Sequence, residues 1–159
     1  MKMIDNFLPE SYFREIQSTM IDPFFPWYYN DHVIHGEDNE FQFINVFYVD
    51  EERREYYHLL DDVISRLNVK KLCRIKANLN PRTLFKRNSG FHTDWDDVTT
   101  SILYLNTNNG GTQFKGGKFI KSVANRLITF DSNLKHAGVT CTDEKIRVVI
   151  NFNYESITI

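Results

Sequence analysis

The chain has 159 residues, 42% of them hydrophobic and 14% aromatic, with a formal net charge of −2. That is enough apolar material for one substantial core, and it excludes a disordered or repetitive polymer. Lys and Arg number 19 against 21 Asp and Glu, a balance that neither demands a nucleic-acid partner nor makes an acidic solvating tail.

The opening "MKMIDNFLPESYF" lacks the continuous apolar run of a signal peptide, and no stretch reaches membrane-spanning length. A cytoplasmic location without membrane contact is the expectation. The first helix is expected at Pro9, which suits a first helical turn, with Glu10 complementing the dipole and Phe13, Ile16 and Met20 at helical spacing. "PFFPWYYN" reads as core and edge-strand packing. A second helix is predicted from about Asp50 to Asn68, with Tyr56, Leu60, Val63 and Leu67 forming its apolar stripe. His32, His35 and His58 have no partner pattern and read as structural or surface residues.

After residue 70 the hydrophobic period becomes two. "LCRIKANL", "TTSILYLN", "GGKFI", "NRLITF" and "EKIRVVINFNY" read as strands, separated by Asn, Gly, Pro and Asp clusters. Cys73 and Cys141 lie in strand-like surroundings and read as core residues, since two cysteines make no disulfide framework. Helices followed by short antiparallel strands predict an α+β layout, a barrel or jelly roll with helices on one outer face. In "KIRVVINFNY", Ile146, Val148, Ile150, Phe152 and Tyr154 share one face, and Lys145, Arg147, Val149, Asn151 and Asn153 the other. Val149 and the two asparagines suit a solvated strand face poorly and a polar barrel interior accounts better for them, although periodicity alone leaves both readings open.

On extended backbone, His92 and Asp94 in "GFHTDWDD" point to the same side. His136, in "SNLKHAG" after another strand, is the candidate third ligand. Two histidines and one carboxylate form the facial triad of non-haem ferrous oxygenases. Arg147 follows on the polar face of the last strand, and an arginine turned inward there implies an anion, because burying it alone is costly. Taken singly the parts have plainer readings: an Asx-type loop for His92 and Asp94, a turn histidine for His136, a solvated strand residue for Arg147.

In combination the order His92-x-Asp94, His136, Arg147 resembles that of the Fe(II)/2-oxoglutarate-dependent oxygenases, closest to their prolyl 4-hydroxylase-like branch, over roughly residues 70–155. The resemblance implies a double-stranded β-helix (jelly roll) with N-terminal helices packed on one outer face of the major sheet. It implies one oxygenase domain over 1–159, with helical support and N-terminal strands in 1–69 and the jelly-roll core in 70–155. It further implies that His92, Asp94 and His136 hold Fe(II) and that Arg147 binds the distal carboxylate of 2-oxoglutarate. Tyr104 falls where relatives place a hydroxyl on that carboxylate, or else is core. Asn151 matches a polar position beside the cosubstrate, and Asn78 stands where relatives often carry tyrosine. The activity implied is hydroxylation of a C–H bond, prolyl in a peptide or protein, consuming O2 and releasing succinate and CO2, with ascorbate in support. Other readings are a hydroxylase or demethylase of a nucleic acid or small metabolite, and a non-catalytic, metal-retaining jelly-roll binding module. The segment 80–91, with Arg82, Lys86 and Arg87, is either a loop that closes over substrate or a solvated basic loop; Lys115, Lys118 and Lys121 would extend it as a positive rim.

Overall fold

A computed structural model describes residues 1–34 and 40–157; His35 lies outside the described residues. In chain order the first strands are β1 (Lys2–Ile4), β2 (Tyr28–Asn30), β3 (Gln42–Val49), β4 (Glu52–Arg53) and β5 (Val69–Pro81). There follow β6 (Thr99–Tyr104), β7 (Gly111–Phe114), β8 (Phe119–Lys121), β9 (Arg126–Asp131), β10 (His136–Val139) and β11 (Ile146–Ser156). The larger sheet runs β1-β9-β6-β11-β5-β3-β2, with β4 on β3, and the smaller runs β10-β7-β8. Every named pairing is antiparallel. Two facing sheets of this kind, with helices outside the larger one, are the expected jelly roll.

The alternation in β11 builds both interiors. Its Val148, Ile150, Phe152 and Tyr154 join Phe13, Ile16 and Met20 in the core on the outer face of the large sheet. Helix α1 (Glu10–Ile21) supplies those three residues because a 3.6-residue period puts them on one stripe. Pro9 stands one place earlier than expected, as the capping residue with φ −52° and ψ 138°. Between the sheets lies a second cluster, including Ile102, Phe114, Ile128, Phe130 and Val149. Replacing Phe152, fully buried in the central strand, by alanine is expected to cost about 3–5 kcal/mol, read as a lower urea midpoint at unchanged slope.

The helix expected over 50–68 is corrected to something shorter. Asp50 and Glu51 take positive φ of 52° and 61° in the turn from β3 to β4, and Tyr56 takes 65°. Left-handed residues interrupt a right-handed helix, so only a 3-10 turn (Tyr57–Leu60) and α2 (Asp61–Arg66) form. The stripe survives from Leu60 onward: Leu60, Val63 and Leu67 are buried, while Tyr57 replaces Tyr56 as the buried aromatic. In "PFFPWYYN", Phe25 enters the core and Tyr28 and Tyr29 form the edge strand β2. Among the described residues no helix is long and apolar enough to cross a membrane.

Candidate functional site

Two strands make the floor of the site. In register, Arg147, Val149 and Asn151 of β11 sit beside Asn80, Asn78 and Lys76 of β5, with Arg74 next along. All line a cavity of about 680 Å3, within the size range of small-molecule sites. The polar face of β11 is therefore interior, and Arg147 is only 3% exposed.

The smaller sheet places the histidines. His136 opens β10, and its backbone exchanges two hydrogen bonds of 3.0 Å with that of His92. Such a hydrogen-bonded antiparallel pair sends both side chains to the same face, leaving the ring centroids 4.9 Å apart. Each Nδ1 meets a backbone carbonyl, Gly90 at 3.2 Å for His92 and Leu134 at 3.0 Å for His136. A carbonyl only accepts, so each Nδ1 carries the proton and each Nε2 keeps a bare lone pair.

Those lone pairs converge on Asp94. Nε2 of His92 is 3.8 Å from Oδ1, and Nε2 of His136 is 3.4 Å from Oδ2. Arg74 donates to Oδ1 at 3.2 Å and to Asn153 Oδ1 at 3.0 Å, holding the carboxylate. Oδ2 is buried without a hydrogen-bond partner. One donor atom from each of His92, Asp94 and His136 lies within 4.8 Å of the others, an arrangement that could hold a metal ion. A buried, unpartnered carboxylate oxygen between two imidazole nitrogens fits a divalent cation with an open coordination face.

Charge is tuned throughout this end of the cavity. Burial pushes the Asp94 carboxyl up, but the charge that His136 carries when protonated and the Arg74 guanidinium outweigh it and hold it well below the usual carboxylate range. Burial brings Lys76 down to about 8, with Arg74 adding to the shift and Asp94 opposing it. Burial also pulls His92 below its ordinary value, against the Asp94 charge. The unfolded chain then binds more protons at His92 than the folded one, so folding stability rises with pH across that window. Lowering the pH of metal-free protein below about 6.5, the ordinary histidine value, should cost it at most about 1.4 kcal/mol per unit from this residue. His92→Gln should flatten that slope in urea unfolding; an equal slope in both proteins would refute the assignment.

At the opposite end, Arg147 donates long bonds to Asn80 Oδ1 at 3.3 Å and Thr112 Oγ1 at 3.5 Å, and its Nε is buried without a partner. No carboxylate pairs with it among the described residues. The Oδ1 atoms of Asn78 and Asn151 are likewise buried and unpartnered. Tyr104 is fully buried, its ring 5.9 Å from the Arg147 guanidinium and its hydroxyl donating to Thr112 at 2.7 Å.

Comparison with known proteins agrees with this architecture. No family profile and no curated protein matches the sequence. Among solved structures, a prolyl hydroxylase from Trichoplax adhaerens, in complex with a hypoxia inducible factor oxygen degradation domain peptide fragment, superposes with TM-score 0.67 at 19% identity. That match covers 98% of this chain and 83% of the other. A 2OG-Fe(II) oxygenase family protein from Burkholderia pseudomallei gives TM-score 0.73 at 13% identity, covering 96% and 84%. A Pseudomonas putida prolyl-4-hydroxylase gives 0.66 at 15%, covering 97% and 91%. This is the fold of the 2-oxoglutarate and iron oxygenases.

Within that oxygenase fold, His92, Asp94 and His136 come together as expected, and Arg147, Asn78 and Asn151 line the cavity with them. Tyr104 sits behind the lining, reaching the cavity wall through Thr112. Arg74, Lys76 and Asn80 were missed, although they alternate with Ile75, Ala77 and Leu79 in "RIKANLN" and so share the face of Asn78. Arg82 and Arg87 border the cavity, whereas Lys86 lies over the Phe119 ring. Lys115, Lys118 and Lys121 are not among the residues lining the cavity.

Proposed function

We propose that the protein is a non-haem Fe(II), 2-oxoglutarate-dependent oxygenase that hydroxylates a C–H bond, with a prolyl residue in a peptide or protein as its substrate. The observation that carries the proposal is the pair of opposed, unsatisfied ends of one cavity. At one end lie two bare imidazole nitrogens and an orphaned carboxylate oxygen; at the other lies a buried guanidinium without an anion. A ligand that is both a metal chelator and a carboxylate satisfies both ends at once.

In this reading His92, Asp94 and His136 hold the metal, with the proton kept on each Nδ1 by a backbone carbonyl. Bound ferrous iron supplies the oxidising chemistry, in which O2 and 2-oxoglutarate are consumed and succinate and CO2 released. Arg74 fixes the Asp94 rotamer so that only Oδ2 is offered. Arg147 pairs with the distal carboxylate of 2-oxoglutarate, and Tyr104 orients Thr112, which shares that end of the cavity. Asn78 and Asn151 line the cosubstrate between the two ends. The hydrophobic pair Leu84 and Phe85, highly exposed on the cavity border, offers a contact for a peptide. The peptide bound in the similar T. adhaerens structure supports that choice of substrate.

Purified protein given Fe(II), ascorbate and 2-oxoglutarate should release succinate above a metal-free control, and a proline-containing peptide should raise the rate. Faster turnover with an oligonucleotide would move the substrate to nucleic acid. Absence of succinate under every condition would leave a metal-retaining binding module.

A further inference from the structure

The cavity carries more positive charge than the proposed cosubstrate and metal account for. Arg74, Lys76, Arg82, Arg87 and Arg147 line it, against the carboxylates of Glu40 and Asp94. A ferrous ion and the doubly charged 2-oxoglutarate bring no net charge between them, so the surplus remains when both are bound.

Most of these cations have an occupation. Arg74 pairs with Asp94 at 3.2 Å, and Arg87 with Glu40 at 3.1 Å. Arg147 stands at the far end, and Arg82 is at the exposed border. Lys76 is different: it lines the interior, yet no hydrogen bond or ion pair engages its Nζ among the described residues. An ammonium so placed is costly to retain without an anion.

Its position decides which anion. Lys76 and Asn80, the register partner of Arg147, lie four residues apart along β5, roughly 13 Å at strand rise. The two cations therefore rise from well-separated points on the cavity floor. Lys76 lies at the metal end, beside Arg74 and across from Asn151. The carboxylate that 2-oxoglutarate brings to that end is already neutralised by the metal. What remains for Lys76 is an anion on the other reactant. One ammonium beside an asparagine amide matches a singly charged carboxylate; a phosphate dianion calls for a second free cation at the same depth.

We propose that Lys76 is the substrate's anion-binding residue, holding a carboxylate that the substrate carries close to the bond oxidised. This rests on the oxygenase reading above. The carboxylate has two possible sources, the α-carboxylate of a free amino acid or an acidic side chain next to the target in a peptide.

The test is binding to Mn(II)-loaded protein with 2-oxoglutarate, followed by calorimetry. One arm compares L-proline with prolinamide, another a capped Glu-Pro peptide with its Gln-Pro counterpart, and a third uses inorganic phosphate. In the arm that matches the natural source, the carboxylate compound should bind about 10- to 100-fold tighter than its amide counterpart. Lys76→Gln should erase that preference, Lys76→Arg should keep it, and the 2-oxoglutarate dissociation constant should stay within about twofold in both. The proposal falls if neither arm prefers the carboxylate, if phosphate binds best, or if Lys76→Gln weakens 2-oxoglutarate itself. Failure of Mn(II) or 2-oxoglutarate to bind the wild-type protein is a separate result that sinks the oxygenase reading and this proposal with it.

Discussion

Asp94→Ala should abolish metal retention while leaving the protein folded. Asp94 contributes the one formally charged donor of the triad and the oxygen that has no other partner. Disturbing only the outer partners of a metal site typically costs about 10- to 100-fold in affinity, so removing a charged ligand should exceed that. The carboxylate is held from outside by Arg74, which keeps its bond to Asn153 when Asp94 is gone. The loss should therefore appear as binding and not as collapse. With metal at about 100 times its dissociation constant, the wild type gains about 2.7 kcal/mol, or roughly 5–10 °C in melting temperature. Asp94→Ala should show no such metal-dependent shift in a thermal scan and an unchanged far-ultraviolet spectrum. A metal shift in Asp94→Ala equal to that of the wild type would place the ion elsewhere. His136→Ala should behave in the same way, with a packing loss added because His136 also lies edge-on to Phe130 at 4.9 Å.

The donors were legible in the sequence; their juxtaposition was not. The period of two in "KIRVVINFNY" sorts the residues of β11 correctly into a core face and a cavity face, because strand geometry leaves no third choice. The helical stripe of Phe13, Ile16 and Met20 is equally direct. The stripe over 50–68 misleads, since periodicity carries no sign of the left-handed backbone at Asp50, Glu51 and Tyr56. Short strands such as β7 and β10 give too few alternations to register, yet β10 is what seats His136 beside His92. Resemblance to a family supplied that meeting in advance. Neither pattern nor resemblance pointed to Arg74 and Lys76, whose significance comes from the charge around them once β5 lies against β11.

Arg147→Met should make the free protein more stable and its affinity for 2-oxoglutarate far weaker. The guanidinium is nearly inaccessible, its bonds to Asn80 and Thr112 are 3.3 and 3.5 Å long, and its Nε has no acceptor. Burial alone pulls it below its ordinary range, which reports how poorly the folded protein solvates the charge. Replacing even a paired buried charge by an apolar residue of similar volume often stabilises by about 1–4 kcal/mol. Here the charge lacks a counter-ion, so the gain should fall in that range and raise the urea midpoint. With 2-oxoglutarate present the comparison reverses. Truncating one partner of a buried charge pair costs about 2–5 kcal/mol, a loss of roughly 30- to 4,000-fold in affinity. Metal binding should be untouched, because Arg147 belongs to the opposite end of the cavity from His92, Asp94 and His136. A variant that is no more stable than the wild type, or that binds 2-oxoglutarate equally well, would mean that the guanidinium already has its partner inside the protein.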